Sequence, residues 1–345
     1  MTVREQNLKI NDWLIDKART DYPDDVALII SCDMLRQPED QGMDLFDFYV
    51  PATERGLEMA RTFIVGGKGY DFYPRSWERL ERMAGLDNDH ISHLALAKVI
   101  YARSDEDIAK LDALKEKLAR NLADPDLTYR KALERLRAAM EIYQTMMFES
   151  SPARIRMGAG YAADYLAGAV FLVNGSFFRG TGDTRMAEMT ALADYPAGFP
   201  ALYEKLYHTK NTDGLLSLTH EMIALTRTFL AGRRRPAPSA TGDLKDLAFW
   251  YQELVYAWRR LDDAAETGNY RRAFDQACIL QQELDTVSSE FGLPAMELLD
   301  AYDADDLTAV QARAHEMEEK ILAVFRENHI ELDQYADADE FIAKN

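Results

Sequence analysis

The stretch Val26-Ala-Leu-Ile-Ile-Ser31, followed by Cys32, an irregular segment, Asp44-Leu-Phe-Asp-Phe-Tyr-Val50 and then Gly69-Tyr-Asp-Phe-Tyr-Pro74, decides how this chain is read. The apolar run reads as the first strand of a sheet. The two later segments mix aromatic and acidic residues and read as half-covered strands, and Ser76-Trp-Glu-Arg-Leu-Glu-Arg-Met-Ala84 reads as a helix behind them. Side chains alternate across a strand, which predicts Asp47 on one face with Leu45 and Tyr49 and Asp71 on one face with Tyr73. If the two strands are neighbours, roughly 5 Å apart, both carboxylates can meet one cation. Hard oxygen ligands of that kind suit magnesium.

Strand, loop, acid-bearing strand, second acid-bearing strand and a Ser-Trp-Glu helix, in that order, resemble the nucleotidyltransferases of the aminoglycoside and lincosamide adenylyltransferase type, in the polymerase-beta-like superfamily. The resemblance covers about residues 20 to 120 and weakens toward about residue 235. It implies an α+β fold, a mixed sheet with flanking helices followed by helical bundles. It also implies binding of a nucleoside triphosphate and transfer of a nucleoside monophosphate to the hydroxyl of a small-molecule acceptor, with magnesium as cofactor. Carried onto this sequence, Asp47 matches the second acid of the family's Asp-x-Asp and Asp71 its third carboxylate. Ser31 and Cys32 stand where the family has a phosphate-cradling Gly-Ser pair, and Leu45 stands where the first acid belongs. Asp33 is the candidate for the general base that accepts the hydroxyl proton. Asp44 is three residues from Asp47, which puts it on the other face of a regular strand. The departures keep a second expectation open, a catalytically inactive member of this fold acting in ligand binding or protein interaction.

The rest of the sequence bounds these readings. A length of 345 residues exceeds what one core usually serves. The segments 1–122, 123–232 and 243–345 are the expected domains: the nucleotidyltransferase-like part, a helical bundle and a C-terminal helical part of self-associating or packing role. Between the last two, Ala231-Gly-Arg-Arg-Arg-Pro-Ala-Pro-Ser-Ala-Thr-Gly242 reads as a linker. A formal charge of −19 opposes binding to nucleic acid or to an anionic membrane surface, and would favour a cationic acceptor. Two distant cysteines give neither a disulfide framework nor a zinc site. The N-terminal sequence lacks the pattern of a secretory signal and no apolar run approaches a membrane span, so a cytoplasmic protein is expected.

Periodicity predicts further elements: a helix over residues 4–20, a strand within 94–101, and a helix starting after the Ser104-x-x-Asp107 cap. Two long helices should bury Leu133, Leu136, Met140, Tyr143 and Met147 in one, and Met157, Tyr161, Tyr165, Ala169 and Leu172 in the other. In the tail Asp243 is expected to cap a helix that buries Leu247, Trp250, Leu254 and Trp258, and helices are expected near 269–290, 294–301 and 305–327. Phe177 and Phe178 are taken to pack between helices with Arg179 in solvent, and His90 and His93 to lie in a solvated acidic loop.

Overall fold

A computed structural model describes residues 2–32, 45–88, 90–180, 182, 184–233 and 242–344. Two compact units divide the chain at Arg235/Pro236. The segments 1–122 and 123–232 both fall in the first.

In the first unit, α1 (Val3–Asp21) opens on a capping box in which Thr2 and Glu5 satisfy each other's backbone N–H groups. It is followed by β1 (Val26–Ser31), β2 (Phe48–Pro51), β3 (Arg61–Val65), β4 (Lys68–Pro74) and, after two short helices, β5 (Lys98–Ala102). The sheet order is β3-β4-β2-β1-β5, antiparallel except for the β2–β4 pair, which makes it a mixed sheet. All six residues of β1 are buried, as its apolar run requires. Gly66 and Gly67, both at positive φ, make the tight β3–β4 turn that a residue with a Cβ would strain.

Each sheet face has its own core. Leu14 and Ala18 of α1 cover Val26, Ile29, Tyr49 and Phe72. Ala27, Leu28, Ile30, Phe48 and Val50 face α2 (Trp77–Ala84), α3 (Ile91–Ala95) and α4 (Asp105–Ala123). This second core runs on without a break into α5 (Pro125–Met147), α6 (Pro152–Val173), α7 (Arg185–Thr190), α8 (Phe199–His208) and α9 (Thr212–Ala231). The continuity of one apolar interior holds sheet and bundle together.

Three expectations are corrected here. The strand expected within 94–101 begins only at Lys98, because residues 91–95 form α3. In α5 the buried positions are Thr128, Ala132, Leu136, Ala139 and Met146, while Leu133, Met140 and Met147 are exposed. In α6 Met157 and Tyr161 are exposed and the buried side is Ile155, Gly158, Ala159, Ala162, Ala163 and Leu166. The reason is close helix contact: a Cβ on Gly158 would lie 2.6 Å from Met146 Cγ, so small residues take the interface and push the larger ones outward.

The second unit is α10 (Leu244–Glu266), α11 (Tyr270–Phe291), α12 (Thr308–Glu327) and the short α13 (Ala338–Lys344). Asp243 caps α10 as expected, and Trp258, Leu261, Leu280, Leu284, Met317 and Ile321 fill its interior. The helix expected at 294–301 is a single 3-10 turn, Leu299–Ala301. Gly292 in the left-handed conformation ends α11, and Pro294 disfavours a new helix at the residue before it. No helix among the described residues is long and apolar enough to cross a membrane.

Candidate functional site

Ser31 ends β1 in register with Lys98, and Cys32 follows it; both are buried. Asp33 and Asp44 lie outside the described residues. Leu45 is buried. Asp47 immediately precedes β2, and its backbone N–H donates to the Ile30 carbonyl at 2.7 Å. Its carboxylate does not share the face of Tyr49, as strand alternation predicted. Oδ2 lies 3.7 Å from His93 Nε2, on the side of Phe48, because the regular strand begins one residue later. Asp71 is exposed within β4 and accepts a hydrogen bond from Thr62 Oγ1 at 2.9 Å. β2 and β4 are neighbours in register Phe48↔Tyr73. Alternation along β4 sends Asp71 to the Tyr73 side, the side that Asp47 also faces.

Behind Asp47 stands a cluster of bases that the sequence reading passed over. Arg75 follows β4, is 4% exposed, and its guanidinium carbon lies 5.1 Å from the ring centres of both Phe48 and Tyr73. Its Nη2 donates to the Tyr73 hydroxyl at 2.8 Å, while Nε and Nη1 are buried and make no hydrogen bond. Arg79 and Arg82 follow at helical spacing on α2, and among the described residues none of the three arginines forms an ion pair with a carboxylate. After α2, Leu86 takes a left-handed φ of 63°, a conformation that costs of order 1 kcal/mol for a non-glycine residue, and is held there by burial in the core. That turn leads into α3.

His90 and His93 are not a solvated loop pair: His93 sits on α3 and is buried. Burial, and then the charge of Arg75, push the His93 imidazole down to about 3, so it is neutral at pH 7. His90 is lowered by the same two causes. Burial and the nearby Asp47 raise Tyr73.

Both histidines line a cleft of about 510 Å³ whose opposite wall is α5, α6 and the segment leading into α7. Phe177 and Phe178 form part of that wall, and Arg179 is exposed with its guanidinium over Phe177. Arg185 donates from Nη1 to Asp164 and to the Tyr203 hydroxyl, which itself donates to Asp164 at 2.8 Å. Its guanidinium carbon stacks 4.5 Å from the Phe178 ring centre. Burial first, then the neighbouring Tyr207, raise Tyr203 to about 12. Arg135, mostly buried, lines the same wall, and burial lowers it. Among the described lining residues Asp164 is the one carboxylate, against Arg135 and Arg185.

The sequence contained one signal for this site, the arginine spacing 75, 79, 82 on a helix otherwise read only for its apolar side. Asp164, Arg185 and Tyr203 come from three helices, and no local pattern marks them.

Paired magnesium ions in nucleotidyl transfer need bridging carboxylates. Among the described residues no three His, Cys, Asp or Glu side chains come together to hold a metal. The described donors therefore do not fit a two-ion centre, and no step is derived through one.

No protein-family model matches the chain, and no curated protein does. Among solved structures it is similar to a nucleotidyltransferase-like protein from Exiguobacterium sibiricum 255-15. The two are 17% identical, with 66% of this chain and 75% of that one covered and a TM-score of 0.35.

Proposed function

We propose that this chain is a nucleotidyltransferase-like protein whose cleft takes a nucleoside triphosphate, with a small acceptor against the helical wall. The observation that carries this is the placement of Asp47 and Asp71 toward one side of the adjacent strands β2 and β4, Asp47 adjoining a cleft lined by aromatic and basic side chains. Aromatic rings give a base a stacking surface, and basic groups offset phosphate charge. Asp47 and Asp71 are the described positions that would hold a magnesium ion brought in with the nucleotide. The acceptor's hydroxyl proton needs a base, and neutral His93 at about 3 is too weak to be one, which leaves a carboxylate for that role.

Isothermal titration with ATP and magnesium, comparing the unaltered protein with Asp47→Asn, tests this reading. Binding that weakens about tenfold or more in the variant, a factor of 10 being about 1.4 kcal/mol, supports it. Absence of ATP binding by the unaltered protein overturns it. A second reading, nucleotide binding without transfer, is favoured by the buried Leu45. Binding without any release of pyrophosphate across a panel of hydroxyl acceptors selects it.

A further inference from the structure

We infer that Tyr161, Asp164, Gly168, Phe178 and Arg185 form the acceptor subsite of the cleft, and that it takes an uncharged ring compound carrying a hydroxyl or amide group. The inference rests on the transfer reading only in calling that compound the acceptor; its chemistry follows from the wall itself.

One side of α6 belongs to the core, and another belongs to the cleft. Tyr161, Asp164, Tyr165 and Gly168 follow one another at i, i+3, i+4 and i+7, so they share a face, and all four line the cleft. Tyr161 is 58% exposed there. With Phe177 and Phe178 it gives the cleft aromatic surfaces that a ring covers by stacking. A volume of about 510 Å³ suits a small molecule. Gly168 adds room: a Cβ there would meet nothing within 4 Å, and its φ is not left-handed, so neither packing nor backbone conformation calls for glycine. Glycine weakens a helix relative to alanine. At a cleft wall it lets a ligand approach the backbone closely.

Asp164 and Arg185 are the polar centre of this wall. Arg185 Nη1 and the Tyr203 hydroxyl both donate to Oδ1 of Asp164, and the guanidinium lies over the Phe178 ring, so both charged groups are held in place before a ligand arrives. Among the described residues Asp164 Oδ2 accepts no hydrogen bond, and the side chain is 43% exposed. Nε and Nη2 of Arg185 likewise make no hydrogen bond among the described residues. The wall thus offers an acceptor and donors from one pair whose charges cancel. An amide or a hydroxyl both donates and accepts, and so answers both members of the pair. A cationic group there would meet the repulsion of Arg185, and an anionic one that of Asp164. The formal charge of −19 attracts cations from a distance, whereas contact at this pair sets the preference.

Three probes of one shape, para-hydroxybenzamide, para-hydroxybenzamidine and para-hydroxybenzoate, are neutral, cationic and anionic at neutral pH. Titrated into the full chain and followed by ligand-observed nuclear magnetic resonance, the neutral amide should bind about tenfold more tightly than either ion, a factor worth about 1.4 kcal/mol. Asp164→Asn, whose melting checks that it folds, removes the counter-charge of Arg185 and should turn the preference toward the benzoate. Gly168→Leu should abolish binding of the amide. Gly160→Leu, at a glycine of the same helix that also has open space but does not line the cleft, should leave that binding unchanged. Tightest binding of the amidine or the benzoate, an order unchanged in Asp164→Asn, equal effects of the two glycine variants, or no binding of the amide overturns the inference. The two readings fail separately: the amide held by a protein that does not bind ATP sinks the nucleotide assignment alone. ATP held by a protein that prefers the amidine sinks the acceptor subsite alone.

Discussion

Arg75 in the first unit and Arg259 in the second sit in opposite electrostatic circumstances. Arg259 lies between α10 and α12, where it donates to Glu318 and, at 2.9 Å, to Asp262. Glu318, itself buried, also accepts from the Tyr251 hydroxyl at 2.8 Å, and His315 adds a 2.6 Å contact to Asp262. Every charge there has an opposite charge from the same chain, and the network joins two helices. Arg75 is more deeply buried and has aromatic faces in place of carboxylates. A closed network holds a fold, whereas an open one carries a desolvation cost that no opposite charge offsets.

The comparison is broken most directly at Glu318. Glu318→Ala strands the Tyr251 hydroxyl and removes the partner of Arg259, and should destabilise the second unit by about 2 kcal/mol. The half-exposed Arg259 recovers some water, which keeps the loss below that of a fully buried pair. Urea unfolding followed by Trp250 and Trp258, with Trp13 and Trp77 replaced by phenylalanine, reads it. No change in midpoint would mean that the network is dispensable. Arg75→Met should act in the opposite sense, raising the stability of the ligand-free protein by about 1 kcal/mol, because an apolar side chain replaces a buried charge that lacks an anion. A lowered melting temperature in phosphate-free buffer would show instead that the aromatic sandwich outweighs the missing partner.

The smallest effect is a pH dependence. Burial first, then Glu318, raise Tyr251 to about 12 from an ordinary value of 10. A folded-state value above the unfolded one means stability that is complete below pH 10 and lost as pH rises from 10 to 12. At pH 10.5 the loss is under about 1 kcal/mol. Tyr251→Phe should remove that part of the slope, and a slope unchanged in the variant would refute the assignment.

Much of the framework was legible in the chain. The six-residue apolar run at 26–31 became the fully buried central strand, Ser104 caps α4 through the Asp107 N–H, and Asp124-Pro125 both ends α4 and starts α5. The strands carrying or adjoining Asp47 and Asp71 are neighbours, the condition under which the sequence reading let both carboxylates meet one cation. Orientation was less legible. Asp47 lies one residue outside its strand, so alternation misassigned its face. On α5 and α6 the expected stripes hold at Leu136, Ala169 and Leu172, which are buried, but Leu133, Met140, Met147, Met157 and Tyr161 face solvent, because tight packing at Gly158 favours small residues at the interface. The expected base, Asp33, falls outside the described residues.

Sequence by itself determined where α4, α5 and α10 begin, because caps and prolines act over a few residues through local hydrogen bonding and steric exclusion. Tertiary structure alone decided which side chains meet at the cleft. His93, Arg135, Asp164 and Arg185 come from separate elements, and they line one cleft only once one continuous core has set the distances between those elements.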